Sequence, residues 1–171
     1  MRRVSVVGNS GSGKSTLGKA LATRLGVPFV ELDAIHHLPG WQPIDVTAFR
    51  KQVGELADGD GWVIDGNYSA VRDLVWARAD TVIWFDLPRR TVMRQVLWRT
   101  IRRAVTRQVL WNGNREPLGN LFRLDPQKSL LRWCWTRHHV YRDRYTRAAT
   151  ERRDLVFIRI AAHQDAAHLL P

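Results

Sequence analysis

Gly8-Asn9-Ser10-Gly11-Ser12-Gly13-Lys14-Ser15, followed directly by Thr16, is the stretch whose residue types and spacing could do chemistry. It reads G-x-x-x-x-G-K-S, the pattern of a phosphate-binding loop. Glycines let the backbone curl so that several N–H groups point at one phosphate chain. Lys14 adds a mobile positive charge for β and γ phosphates, and the Ser15 hydroxyl suits Mg²⁺. If a helix follows, its N-terminal N–H groups and dipole favour anions as well. The implied ligand is a nucleoside triphosphate, ATP or GTP, with Mg²⁺.

Two carboxylates stand where such a loop would need them. Pro28-Phe29-Val30-Glu31-Leu32-Asp33 reads as a strand ending on an acid, and Trp62-Val63-Ile64-Asp65 as another. In a parallel sheet, ligands bind outside the carboxyl ends of the strands, which puts both acids at that edge. Asp65 is expected to organise Mg²⁺ beside Ser15. Asp33 reads either as base or orienting acceptor for a substrate hydroxyl, or as a cap of the next segment. Gly66, after Asp65, reads as a place where substrate approaches the backbone closely.

The elements that must carry these residues follow from the apolar pattern. Val4–Val7 is a short β-branched run that suits a buried parallel strand. Leu17, Ala20, Leu21 and Leu25 recur at helical spacing, and Gly26 stops them. A strand, phosphate loop, helix and strand make a βαβ unit and imply a parallel sheet. Residues 34–43 hold His36, His37 and Trp41 in a loop or short turn; the histidines read as surface or substrate contacts, having no spaced partner for a metal. Asp45–Ala57 predicts a helix with Val46, Phe49, Val53 and Leu56 or Ala57 inward, and Ser69–Ala79 another. Asp80–Pro88 predicts a fourth strand and Leu155–Ile160 a fifth, before a short helix from about Gln164.

Between the last two strands lie two long helices. Over Arg89–Gln108, Met93, Leu97, Ile101 and Val105 predict the buried row, with Arg99, Arg103 and Arg107 facing away. Arginines four apart without interleaved acids repel one another, so this row is either a solvated face or a phosphate-binding one. Residues 109–127 are rich in turn formers and predict a loop or small lid. Lys128 to about Ala149 predicts the second helix, where Trp133, Trp135, Tyr141 and Tyr145 read as core, and Arg137 and Arg144, seven apart, as functional candidates.

Composition agrees with one soluble domain over residues 1–171. Apolar residues make 44% and charged residues 25% of the chain. A single cysteine, Cys134, excludes an intramolecular disulfide and fits a cytoplasmic location, and no apolar run is long enough for a membrane span. Twenty-seven basic residues against 16 acidic ones give a net charge of +11, which suits a polyanionic partner: nucleoside phosphates, nucleic acid or acidic lipid. No repeat, linker or helix-turn-helix pattern is evident.

The order of these features resembles the adenylate-kinase-like branch of P-loop kinases. Leu32-Asp33, Pro39-Gly40-Trp41, Trp62 to Tyr68 and Trp111-Asn112-Gly113-Asn114-Arg115-Glu116 are similar to the FlaR-type "DNA topology modulation" proteins within it, over nearly the whole chain. The resemblance implies an α/β, three-layer P-loop NTPase fold: about five parallel strands flanked by helices, with a substrate region near residues 34–60 and a helical lid near 99–127. It implies an ATP- and Mg²⁺-dependent phosphotransferase, kinase-like toward a small molecule or a nucleoside or nucleotide, with a hydroxyl- or phosphate-bearing acceptor that the sequence does not identify. By that likeness Gly8 to Thr16 and Arg115 would hold the nucleotide, Ser15 and Asp65 the Mg²⁺, and Asp33 the acceptor. Arg99 and Arg103 would match the arginines entering the lid, Arg137 and Arg144 those leaving it. The Asp-Gly-Phe-Pro-Arg run of adenylate kinases is replaced by Asp65-Gly66-Asn67-Tyr68, which argues against a nucleoside monophosphate acceptor. A nucleic-acid-binding NTPase is the alternative reading of the same charge, and a toxin-like kinase of nucleotide-sugars a third.

Overall fold

The computed structural model describes residues 1–115 and 130–169. Five strands form one wholly parallel sheet in the order β2-β3-β1-β4-β5: β1 (Arg3–Gly8), β2 (Phe29–Glu31), β3 (Trp62–Asp65), β4 (Thr81–Phe85) and β5 (Val156–Ile160). The chain leaves β1 for one edge, then crosses from β3 to β4 on the far side of β1. That reversal opens a crevice at the carboxyl ends of the central strands.

Alternation along the strands sends side chains to two cores. Val4 and Val6 pack with Leu17 and Leu21 of α1 (Lys14–Leu25) and with Val92 and Val96 of α5 (Arg89–Val105). Val7, Ile64 and Trp84 pack with Phe49 and Val53 of α3 (Val46–Ala57) and with Val75 and Trp76 of α4 (Arg72–Arg78). The α/β fold with helices on both faces is as expected. Helix α6 (Leu130–Glu151) contributes Cys134 to the first core and Tyr145 to the second, so it runs across the sheet's end. Asp86, 5% exposed just past β4, accepts from Arg142 of α6 at 2.9 Å and from Arg159 of β5, tying both to the centre.

Local signals explain the helix ends. Gly26 closes α1 in the left-handed region, φ 64°, its N–H on Ala22 and Thr23 carbonyls. Asp45 opens α3 by accepting from the N–H groups of Thr47 and Ala48, at 2.9 and 3.0 Å, worth about 1 kcal/mol.

Several expectations need correction. Strand β2 stops at Glu31, and Asp33 lies in a helical turn, α2 (Leu32–His36), because Leu32 has to turn inward, where it is 2% exposed. Val46 and Leu56 of α3 face outward, leaving Phe49, Val53 and Ala57 inside. On α5 the buried row is Val92, Val96 and Thr100; Leu97 is 42% and Val105 71% exposed. Arg107 lies beyond the end of that helix, at φ 47°. The remaining short helix, α7 (His163–Ala167), follows β5. The predicted lid falls partly on residues 116–127, outside the described residues.

Candidate active site

The phosphate loop joins β1 to α1, as its motif requires, and is held from several sides. Asn9 is the loop's anchor: its Oδ1 accepts from Ser10 N–H at 2.9 Å and its Nδ2 donates to the Cys134 carbonyl of α6 at 2.8 Å. Gly11, at φ 76°, lets Val96 of α5 press on the loop where any Cβ would overlap it. From β3's end, Asn67 accepts from Gly8 N–H at 2.9 Å, donates to Gly8 O, and takes a second donor, Tyr145 hydroxyl, at 3.0 Å. Lys14 Nζ donates to Asn9 O at 2.9 Å.

Ser15 Oγ donates to Asp65 Oδ2 at 2.5 Å, so the two residues paired by sequence reasoning are in contact. Asp65 is buried, and its Oδ1 has no hydrogen-bond partner among the described residues. Burial pushes this carboxyl's pKa up, while Lys14 and the Ser15 hydroxyl pull it down. A buried carboxylate oxygen without a donor is costly unless a cation or its water meets it. Hydroxyl and carboxylate oxygens are hard ligands, so the pair fits Mg²⁺.

A cavity of about 650 Å³ spreads from this loop over the strand ends. Ser10, Lys14, Ser15, Asp33, Asp65, Arg99, Arg103, Arg137 and Arg144 all line it. Arg99 and Arg103 reach it because α5 buries Val92, Val96 and Thr100 instead of the longer apolar row; Arg99 Nη2 donates to Ser10 Oγ at 2.9 Å. On α6, Arg137 lies 4.4 Å from the Trp133 ring centroid and Arg144 5.8 Å from that of Tyr141. Trp133 and Tyr141, read from sequence as core, do pack against the two cores and also wall the cavity, where arginines lie on them. Gly8, Asn9, Gly11, Ser12 and Gly13 shape the loop without lining the cavity, and Thr16 is exposed on α1.

Opposite the loop stand Asp33, His36, His37 and Tyr68. Tyr68 hydroxyl donates to Asp33 Oδ1 at 2.6 Å, and its ring packs 4.4 Å from that of His36. Burial lowers the His36 pKa, His37 lowers it further, and Asp33 opposes them. Among the described residues no group of three His, Cys, Asp or Glu could hold a metal, so the histidine pair lacks a third ligand. Gly66, at φ 153°, is required for a different close approach than expected: a Cβ there would stand 2.8 Å from Leu32 Cβ, beneath Asp33. Gly66→Ala is expected to cost about 2–4 kcal/mol through backbone strain and overlap, read as a lower urea midpoint with an unchanged slope.

Residues 111–115, read from sequence as part of a loop or small lid, form a turn whose partners the sequence did not reveal. Asn112 Nδ2 donates to Ala34 and His37 carbonyls, at 3.0 and 2.5 Å, and Asn114 Nδ2 to Leu38 O at 3.0 Å. Trp41 returns two bonds, from its N–H to Asn114 Oδ1 and from its indole to Arg115 O, both at 3.0 Å. Trp111 donates to Glu31 Oε2 at 3.1 Å and stacks along His37. This turn is docked on the 34–41 segment. Arg115 belongs to it, is exposed and does not line the cavity, and its carbonyl accepts from the Trp41 indole.

A phosphate loop on β1, a paired Ser and Asp, and a parallel 2-3-1-4-5 sheet make an α/β P-loop fold. A family model described as shikimate kinase matches residues 10–40, the phosphate loop through α2 and the start of the next turn. Shikimate kinase of Sulfurihydrogenibium sp. is 29% identical over 108 residues, 54% of this chain and 65% of that relative; the chain thus spans just under two thirds of its length. Among solved structures, shikimate kinase from Bacteroides thetaiotaomicron superposes with a TM-score of 0.57 at 14% identity, covering 98% of this chain and 93% of that one. A gluconokinase from Sinorhizobium meliloti gives 0.56 at 21% identity, covering 98% and 91%. No helix among the described residues is long and apolar enough to cross a membrane.

Proposed function

We propose that this chain is an ATP- and Mg²⁺-dependent phosphotransferase for a small hydroxyl-bearing acceptor, working as one kinase domain. One observation carries the reading: the phosphate loop with Lys14 and the Ser15–Asp65 pair opens into the same cavity as the Asp33 carboxylate. Loop amides and Lys14 bind the donor phosphates, and Arg99, Arg103, Arg137 and Arg144 neutralise charge on the group in transfer. Ser15 and Asp65 would hold Mg²⁺, which when bound would supply further neutralisation of phosphate charge. Asp33 accepts the acceptor hydroxyl's proton. A carboxylate at that end disfavours a phosphate nucleophile by like-charge repulsion and suits an alcohol. The Asp65-Gly66-Asn67-Tyr68 and Asn112-Gly113-Asn114-Arg115-Glu116 stretches support a place in the FlaR-type subgroup of these kinases.

The test is transfer of labelled γ-phosphate from ATP to a panel holding shikimate, gluconate, other sugar acids, sugars, nucleosides and nucleotides. Transfer to an alcohol member is expected. No transfer to any member, with ATP bound, would count against a kinase.

A second reading has its own observation. Helix α5 contains no acidic residue, and on its outer side Trp98, 70% exposed, lies four residues from both Arg94 and Arg102. A basic face with an aromatic is how single-stranded nucleic acid is held without sequence preference. Binding of a single-stranded oligonucleotide that weakens steeply with salt, and is lost in Trp98→Ala, would support it; salt-independent or absent binding would remove it.

A further inference from the structure

We propose that Tyr68 is a positioning residue for phosphoryl transfer, holding Asp33 with one carboxylate oxygen engaged and the other left for the acceptor hydroxyl. The inference rests on the kinase reading above.

The geometry is specific. Tyr68 comes from the loop after β3 and Asp33 from the first turn of α2, and a bond between their side chains, hydroxyl to Oδ1 at 2.6 Å, joins them across 35 residues. Asp33 Oδ2 has no hydrogen bond among the described residues, although Asp33 lines the cavity. The Tyr68 ring is itself fixed, by His36 at 4.4 Å and edge-on to Phe49 at 5.3 Å. His37 Nε2 stands 3.4 Å from the same hydroxyl. Burial and the facing Asp33 carboxylate push the Tyr68 pKa well above the ordinary tyrosine range. Tyr68 therefore stays protonated and acts only as donor to Asp33.

An aspartate on a solvent-lined cavity rotates freely about its last torsion. Held by Tyr68, it presents Oδ2 in one direction, so the acceptor's O–H meets a base already oriented. In the step so arranged, the acceptor O–H breaks and its proton goes to Asp33 Oδ2. The acceptor oxygen bonds to the γ-phosphorus, the bond from that phosphorus to the bridging oxygen breaks, and ADP leaves with that electron pair.

A double-mutant cycle tests this, with the acceptor that the native chain phosphorylates in the panel that includes shikimate and gluconate. Tyr68→Phe keeps the ring and its packing and removes only the hydroxyl. It is expected to lower kcat about tenfold, or about 1.4 kcal/mol, with acceptor KM and ATP Kd within about twofold of native. In an Asp33→Asn background the same change is expected to have no further effect, within about twofold. An equal tenfold loss in both backgrounds would assign Tyr68 a structural role and overturn the inference, even if the variant is less stable. Native kcat in Tyr68→Phe alongside a crippled Asp33→Asn would overturn it and leave the kinase reading intact. Full activity in Asp33→Asn, or no transfer to any panel member, would overturn the reading beneath it.

Discussion

Lys14→Ala is expected to lower kcat by about a hundred- to a thousandfold, the range seen when one preorganised charge on a transferring group is removed. Lys14 is the first residue of α1 and the lysine that lines the cavity, and its Nζ donates across the loop to Asn9 O at 2.9 Å. Nothing else at the loop supplies a mobile cation of that reach. Arg99 is already engaged with Ser10 Oγ, and the remaining cavity arginines come from α5 and α6, not from the loop. The loss should fall on kcat more than on ATP binding, because backbone amides and the α1 N-terminus still attract phosphate. Stability should change by less than about 1 kcal/mol, since Lys14 is half-buried and belongs to neither core. Single-turnover transfer measured beside ATP affinity and the thermal midpoint checks all three. A near-native single-turnover rate would remove Lys14 from the mechanism and with it the basis for reading the loop as catalytic.

What could be read in the sequence and what could not have physical reasons. The phosphate loop and Asp65 were legible because their chemistry is local: glycines at fixed offsets before a helix, and an apolar strand ending on an acid. The inner row of α5 was not legible. Counting apolar residues favours Met93, Leu97, Ile101 and Val105, but α5 must also aim Arg99 and Arg103 into the cavity and seat Val96 on Gly11. That rotation buries Thr100 and leaves Leu97 and Val105 outside. Packing of Val96 against Gly11 sets the helix's rotation more than its count of apolar residues does. The partners of residues 111–115 were hidden for another reason. Asn112 and Asn114 donate side-chain N–H hydrogen bonds to carbonyls more than 70 residues away, and no periodicity announces a partner at that distance. Asn67 and Tyr68 lay in plain view directly after Asp65-Gly66. Asn67, on both the N–H and the carbonyl of Gly8, is the link between β3 and the phosphate loop that sequence reasoning passed over.

Asp33→Asn should separate chemistry from binding more cleanly than any other change in the cavity. The substitution keeps size and shape, and an amide oxygen can still accept from Tyr68 hydroxyl, so α2 and the Leu32 contact under Gly66 should persist. What it removes is the ability to take a proton from the acceptor. Base removal of this kind costs about 10²- to 10⁴-fold, so kcat should fall by at least about a hundredfold. ATP affinity should remain within about twofold of native, because Asp33 stands across the cavity from the loop and makes no bond to it. Removing a negative charge also weakens the field against anions near the five cationic side chains that line the cavity. A phosphate-bearing acceptor would therefore gain from the change, binding more tightly in Asp33→Asn than in the native chain, and an alcohol acceptor would not. Measuring kcat, acceptor KM and ATP Kd in the variant thus tests both the base and the acceptor class. A lost ATP site would mean that Asp33 is structural. A faster reaction with a phosphorylated acceptor would mean that the carboxylate selects against such molecules rather than deprotonating the true one.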